Sequence, residues 1–125
     1  FEVSTKKARA ILPETYDQSD VTGNLADILY MTQGLATGNA ELLRYGRNDH
    51  IHEPYRKKLL PFYEPLKTIF ETETGGILLI SGSGSTCIGI GRTYPDLQTE
   101  EKIRSLSGNL KVLHLPLCKK GAYVL

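Results

Sequence analysis

At 125 residues the chain has the length of one domain, enough to bury a single hydrophobic core. Its formal charge is +1 and its basic residues occur in short pairs, a pattern that argues against nucleic acid or an anionic membrane surface as a partner. No apolar run in the sequence approaches the length of a membrane span.

The N-terminal third of the chain favours two helices. Ser4 or Thr5 can cap a short helix that stops at Pro13. A polar link then leads to a longer helix, which we expect to end at Gly38. Apolar side chains recur along the longer helix at helical spacing, so we expect them to share one inward face: Leu25, Ile28, Leu29 and Leu35.

The middle of the chain alternates between helical and irregular patterns. Residues 40–45 predict one or two further helical turns, and 46–60 predict an irregular or partly helical segment rich in charged, His and Pro residues. The next helix begins near Pro61 and ends at Gly75. It carries one apolar stripe, formed by Phe62, Leu66, Ile69 and Phe70.

The C-terminal third predicts strands and one more helix. Apolar runs at 76–80 and 87–91 flank a glycine-rich turn and predict a buried β-hairpin. Thr99 can cap a helix with Ile103 and Leu106 inward, and residues 110–115 and 122–125 predict two closing strands. We therefore expect an α+β two-layer sandwich, with helices packed against an antiparallel sheet of roughly four strands.

The turn of the hairpin is richer in glycine and hydroxyl groups than a plain turn requires. Two glycines allow successive N–H groups to point into one concavity, where an anion can bind. The alternative is a small-residue turn that packs closely against another element. The residues concerned are Ser81, Gly82, Ser83, Gly84, Ser85 and Thr86.

Two pairs of reactive side chains have plain explanations. Cys87 and Cys118 form no C-x-x-C pair, which favours free thiols and a cytoplasmic protein. His50 and His52 form an H-x-H motif, but a zinc site needs third and fourth ligands, so we expect no metal site. His114 alternates within an apolar run and predicts a core or edge histidine.

Four motifs, in this order and approximate spacing, resemble the homoserine kinases of the GHMP family of small-molecule kinases. They are Ser4–Pro13, Asp20–Leu25, His52–Arg56 and Ser81–Thr86. The resemblance implies a ferredoxin-like C-terminal domain over residues 1–125. It also implies that an N-terminal GHMP domain, absent from this chain, binds most of the ATP and Mg²⁺.

The resemblance also implies roles for particular residues. Thr5 and Arg9 lie four apart on one helix face, and a guanidinium suits bidentate binding of a carboxylate. By resemblance, Thr5, Arg9 and Arg56 bind L-homoserine and His52 shapes its pocket. The loop of Ser81, Gly82, Ser83, Gly84, Ser85 and Thr86 would support the phosphate-binding loop of the other domain. No catalytic residue is implied in this chain.

The implied enzyme phosphorylates the hydroxyl of L-homoserine with ATP, toward threonine, and this chain alone would be inactive. A homodimer is compatible with the sequence. Departures from the family pattern leave the substrate open: Glu53 stands where Gln is usual and Ser85 where Pro is usual. The alternatives are a non-enzymatic regulatory module that binds an amino acid and a GHMP kinase for another small alcohol. For Asn24 we expect a structural or interface role.

Overall fold

Helices and one antiparallel sheet make up the described part of the chain, residues 3–117 of a computed structural model. The helices are α1 (Thr5–Ala10), α2 (Gln18–Thr37), α3 (Ala40–Tyr45), α4 (Glu53–Arg56), α5 (Tyr63–Thr74) and α6 (Leu97–Ser105). A 3₁₀ turn, Lys57–Leu59, follows α4, and the strands are β1 (Ile77–Ser81) and β2 (Thr86–Ile90). The predicted α+β class is confirmed.

The core lies between α5, β1 and α6. The predicted stripe of α5 is confirmed, since Leu66 and Phe70 are buried with Leu78 of β1 and Ile103 of α6. Each such side chain contributes roughly 1.5–3 kcal/mol when it is fully buried. Tyr63 is also buried, and its hydroxyl donates to the carbonyl of Leu78 at 3.4 Å. Burial, followed by the charge of Glu53, raises the pKa of this phenol.

The predicted hairpin forms, with Ile77 paired to Ile90 and Ser81 paired to Thr86. The prediction that both strands are buried holds for β1 but not for β2, where Ile88 is half exposed. A glycine at position 89 leaves space for an aromatic ring, because a Cβ there would clash with the ring atom Cζ of Phe70. The hairpin therefore packs against α5 with apolar side chains and, at Gly89, with bare backbone.

The orientation predicted for α2 is wrong. The four residues expected to face the core, Leu25, Ile28, Leu29 and Leu35, are between 52% and 71% exposed. The helix packs on α3 through a small residue instead, since a Cβ on Gly34 would lie 2.8 Å from Cδ2 of Leu43. It ends at Gly38, as predicted. Although α2 is long, no helix within residues 3–117 is both long and apolar enough to span a membrane.

The strand predicted at 110–115 is also wrong, because these residues pair with no strand within residues 3–117. Alternating apolar residues favour a strand, but a ladder needs a partner edge. Leu113 and Leu115 are exposed, and His114 stacks on Tyr94 with ring centroids 4.5 Å apart. Its Nε2 also contacts the Glu100 carboxylate at 2.9 Å. The strand predicted at 122–125 lies outside the described residues.

Helix α6 begins earlier than predicted. Asp96, not Thr99, is the N-cap: its carboxylate Oδ1 accepts the N–H of Thr99 at 2.7 Å. An N-cap side chain accepts from the second or third helical N–H, so the cap must precede Leu97. The predicted inward position of Ile103 is confirmed, and Leu106 packs against the core from its edge.

Candidate functional site

One guanidinium joins two of the sequence motifs. Arg56, the last residue of α4, donates from Nη1 to the carbonyl of Gly82 at 2.6 Å. Its Nε donates to the carbonyl of Ala8 on α1 at 3.4 Å. Ala8 lies 48 residues before Arg56 and Gly82 lies 26 residues after it, so the two contacts join distant segments of the sequence. The candidate site therefore comprises Arg56, the loop Ser81–Thr86 and the part of α1 around Ala8, the helix on which Thr5 and Arg9 also lie.

The loop is tied to the start of α1 by a second contact. The N–H of Val3 donates to Oγ of Ser85 at 2.9 Å. Ser85 replaces the usual Pro of the resembled family, and its hydroxyl supplies a bond that Pro lacks. Within the loop, the N–H of Gly84 donates to the carbonyl of Ser81 at 3.2 Å. Gly82 and Gly84 have φ of 58° and 105°, which favours glycine at both positions.

The loop also packs closely against the core. Gly84 is buried, and a Cβ added there would lie 2.9 Å from Cδ1 of Leu60. Leu60 is itself almost completely buried, at 1% exposed. Close packing was the plain explanation of the glycines, and the geometry of Gly84 agrees with it. The hydroxyls of Ser81 and Thr86 lie on exposed residues and remain accessible to solvent.

Thr5 and Arg9 lie on the exposed face of α1, one helical turn apart. Within residues 3–117 the guanidinium of Arg9 has neither an acidic partner nor a hydrogen bond to a carbonyl. Ala8, beside it, is buried and anchors the helix. α1 therefore presents Arg9 toward solvent, with Lys6 and Lys7 also exposed on the same helix, next to the Ala8 carbonyl that accepts from Arg56.

His52 is placed differently from the other predicted site residues. It is the N-cap residue of α4, and its Nε2 contacts the Asp49 carboxylate at 2.9 Å. Its Nδ1 is buried and has no hydrogen-bond partner in the described part of the chain. His50 points elsewhere: its Nε2 contacts Asp27 at 3.2 Å. The two histidines thus serve different carboxylates, and residues 3–117 contain no cluster of three metal-ligating side chains.

His52 also lines a cavity of about 250 Å³ between α2, the segment 46–53 and β1. Its polar lining residues include Asn24, Asp27, Arg47, Asp49 and Glu53. Their charges are largely paired, with Arg47 to Glu71 at 3.1 Å and Glu53 to Lys67 at 2.7 Å. None of Thr5, Arg9, Arg56 or the glycine loop lines this cavity.

Sequence reasoning missed Asp49. Its Oδ1 accepts the N–H groups of Ile51, His52 and Glu53. The signal was an acidic residue shortly before Glu53-Pro54, since Asp favours helix starts and Pro favours the first helical turn. Asn24, expected to be structural, accepts the N–H of His50 with Oδ1 at 3.1 Å, in agreement with that expectation.

Comparison with known proteins finds homoserine kinases among the relatives of this chain. A homoserine kinase from Nostoc sp. strain PCC 7120 is 37% identical over 90 residues, which are 72% of this chain and 30% of that protein. A homoserine kinase from Synechococcus sp. strain PCC 6301 is 41% identical over 91 residues, 72% of this chain and 29% of that protein. No family model matches the chain.

A solved structure agrees with the sequence relatives. The crystal structure of homoserine kinase from Cytophaga hutchinsonii superposes with a TM-score of 0.71 and 28% identity, over 85% of this chain and 33% of that one. The chain spans about a third of the length of the proteins it matches. The resemblance drawn from the four motifs is thereby confirmed, and the chain is a homologue of the homoserine kinases over that part of their length.

Proposed function

We propose that this chain is the C-terminal, substrate-side domain of a homoserine kinase. The complete enzyme would transfer the γ-phosphoryl group of ATP to the side-chain hydroxyl of L-homoserine, toward threonine. The observation that carries the proposal is the double contact of Arg56 with Ala8 and Gly82, which unites three motifs in one place. Phosphoryl transfer depends mainly on positioning and on charge neutralisation, and this arrangement can contribute to both.

At the substrate end, Arg9 is the group best suited to the homoserine carboxylate. Its guanidinium is exposed and has no partner within residues 3–117, so binding a carboxylate breaks no existing ion pair. Nε and Nη1 of Arg56 donate to backbone carbonyls, and these two hydrogen bonds fix the orientation of its guanidinium. The hydroxyl of Thr5, one turn before Arg9, can hydrogen-bond to the amino-acid backbone. His52 contacts Asp49 and lines a separate cavity, so it would shape the pocket through the α4 turn that begins at this residue.

At the phosphate end, the loop Ser81–Thr86 would support the phosphate-binding loop of an N-terminal GHMP domain. The loop lacks the Gly-Lys-Ser/Thr of a P-loop, so it does not fit the role of the main ATP site. ATP and Mg²⁺ would be held mainly by that other domain. The exposed hydroxyls of Ser81 and Thr86 would face the closed cleft.

The negative charge of Glu53 does not count against homoserine. Its carboxylate contacts Nζ of Lys67 at 2.7 Å, and the residue is only 9% exposed. A paired, buried carboxylate exerts little repulsion on a substrate carboxylate at the surface. The departure from the usual Gln is therefore compensated within this chain.

The remaining two thirds of such an enzyme would also cover α2. The helix exposes Leu25, Ile28, Leu29 and Leu35, and exposed apolar patches of this kind mark interaction surfaces. Its only charged residues, Asp20 and Asp27, both face His50. We propose that the N-terminal GHMP domain contacts this face. Among residues 3–117 the Cys87 thiol has no disulfide partner, which agrees with our proposal of a reducing, cytoplasmic location.

The test is ATP-dependent phosphorylation of L-homoserine by the complete polypeptide, measured beside the 125-residue chain. We expect turnover only by the complete polypeptide. Arg56→Ala should raise the KM for homoserine about 10- to 100-fold, the value of a charge-assisted hydrogen bond, and leave the KM for ATP nearly unchanged. Arg92→Ala is the matched control, because Arg92 is exposed and lies beyond the end of β2 opposite the loop. Absence of turnover by the complete polypeptide would refute the proposal.

A further inference from the structure

Two side chains accept hydrogen bonds from four consecutive backbone N–H groups, His50 to Glu53, where α4 begins. Asn24 accepts the N–H of His50 at 3.1 Å. The Oδ1 of Asp49 accepts the N–H groups of Ile51, His52 and Glu53 at 2.9, 2.6 and 3.1 Å. A carboxylate oxygen with three backbone donors fixes the conformation of the whole segment.

The segment held by Asp49 is the one from which Arg56 projects. The carbonyl of His52 accepts the N–H of Arg56 at 2.9 Å, which closes the single turn of α4. The other oxygen of Asp49 contacts Nε2 of His52 at 2.9 Å, so the ring is held to the same carboxylate as its backbone. A rotation of this turn would displace the guanidinium from Ala8 and Gly82.

We propose that Asp49 is a positioning residue, which holds the α4 turn so that the guanidinium of Arg56 stays in the candidate site. The proposal rests on the proposed function, because it gives Asp49 a role in binding homoserine through Arg56. A four-residue helix cannot hold its own geometry, since a helix this short is unstable without outside support. Asp49 supplies that support from the preceding loop.

The ionised form of Asp49 suits this role. Burial by itself would raise the pKa of Asp49, but the hydrogen bonds from His52 and from the N–H groups of His52 and Glu53 outweigh burial. They hold the pKa of this carboxyl well below its ordinary value. The carboxylate is therefore charged at neutral pH and accepts all of its bonds there.

The kinetic test compares three variants of the complete polypeptide. Asp49→Ala should lower kcat/KM for homoserine about 100-fold, the effect of a small misplacement of a substrate-binding group, while the KM for ATP changes less than twofold. Asp49→Asn keeps an acceptor oxygen and should restore kcat/KM to within about threefold, because Asn caps as well as Asp. Asp96→Ala removes the same kind of cap from α6 and should leave both constants unchanged.

A second readout separates this proposal from the proposed function. Hydrogen exchange of the Arg56 Nε–H, followed by NMR, should accelerate at least tenfold in Asp49→Ala and remain slow in Asp96→Ala. If the unmodified complete polypeptide does not phosphorylate homoserine but exchange still accelerates in Asp49→Ala, the proposed function is refuted and the positioning of Arg56 is supported. Unchanged exchange, or equal losses of kcat/KM in Asp49→Ala and Asp96→Ala, would overturn the positioning role.

Discussion

Replacement of Gly84 by alanine tests the packing of the glycine loop directly. Gly84 has a φ of 105°, where an L-residue is strained, and it is buried against Leu60. An added Cβ would lie 2.9 Å from Cδ1 and 3.4 Å from Cδ2 of Leu60. Leu60 is 1% exposed and belongs to the core, so it has little room to retreat.

The expected loss of stability has two parts. A non-glycine residue in this region of φ costs about 1–3 kcal/mol. Forcing an extra methyl group into a packed core costs about 1–3 kcal/mol more. Gly84→Ala should therefore lower the free energy of unfolding by about 2–6 kcal/mol, a large part of the 5–15 kcal/mol typical of a domain.

The matched control is Gly82→Ala, two residues earlier in the same loop. Gly82 has a φ of 58° and no heavy atom within 4 Å of an added Cβ, so only the backbone cost of about 1–2 kcal/mol applies. Urea unfolding followed by circular dichroism measures both variants against the unmodified chain. If Gly84→Ala is no less stable than Gly82→Ala, the contact with Leu60 adds nothing to the loss of unfolding free energy, which would refute the prediction.

Two further predictions concern β2 and α2. Burial, with a smaller effect from Glu53, raises the pKa of Cys87 from 9.0 to about 11. The contribution of Cys87 to stability is therefore fully present below pH 9 and is lost as the pH rises from 9 to 11, by at most about 3 kcal/mol, because solvent screens the partly exposed thiol. The buried Tyr63 phenol also loses stability at alkaline pH, so urea unfolding should show a steeper loss in the unmodified chain than in Cys87→Ala, and equal profiles would contradict the prediction. Leu29→Asp should change the stability of the 125-residue chain by less than about 0.5 kcal/mol, because Leu29 is 71% exposed. In the complete polypeptide the same change should cost about 1.5–3 kcal/mol, and an equal effect in both would refute the covering of α2.

Local patterns were enough to predict most of the elements. Glycines marked the C-terminal ends of two helices, so α2 ends at Gly38 and α5 at Gly75, as expected, whereas the cap predicted for α6 was wrong. The apolar stripe of α5 predicted its buried face because that helix packs on neighbours within the chain. The four motifs predicted the relationship to homoserine kinases, since order and spacing are properties of the sequence itself.

The same patterns failed where the partner of a surface decides the outcome. The stripe of α2 matches that of a buried helix, yet α3 approaches α2 at Gly34 and leaves Leu29 exposed. Residues 110–115 alternate like a strand, yet no edge within residues 3–117 pairs with them. Periodicity shows which face of an element is apolar but not which face another element covers.

The candidate site divides in the same way. The sequence by itself predicted that Arg9, Arg56 and the glycine loop bind a carboxylate or an anion, because they stand in the motifs of the resembled family and their chemistry does not depend on the fold. Only the tertiary structure decided that Arg56 spans from Ala8 to Gly82 and that Asp49 holds its turn. Contacts between segments so far apart in sequence form when the chain packs as a whole, and no local pattern encodes their geometry.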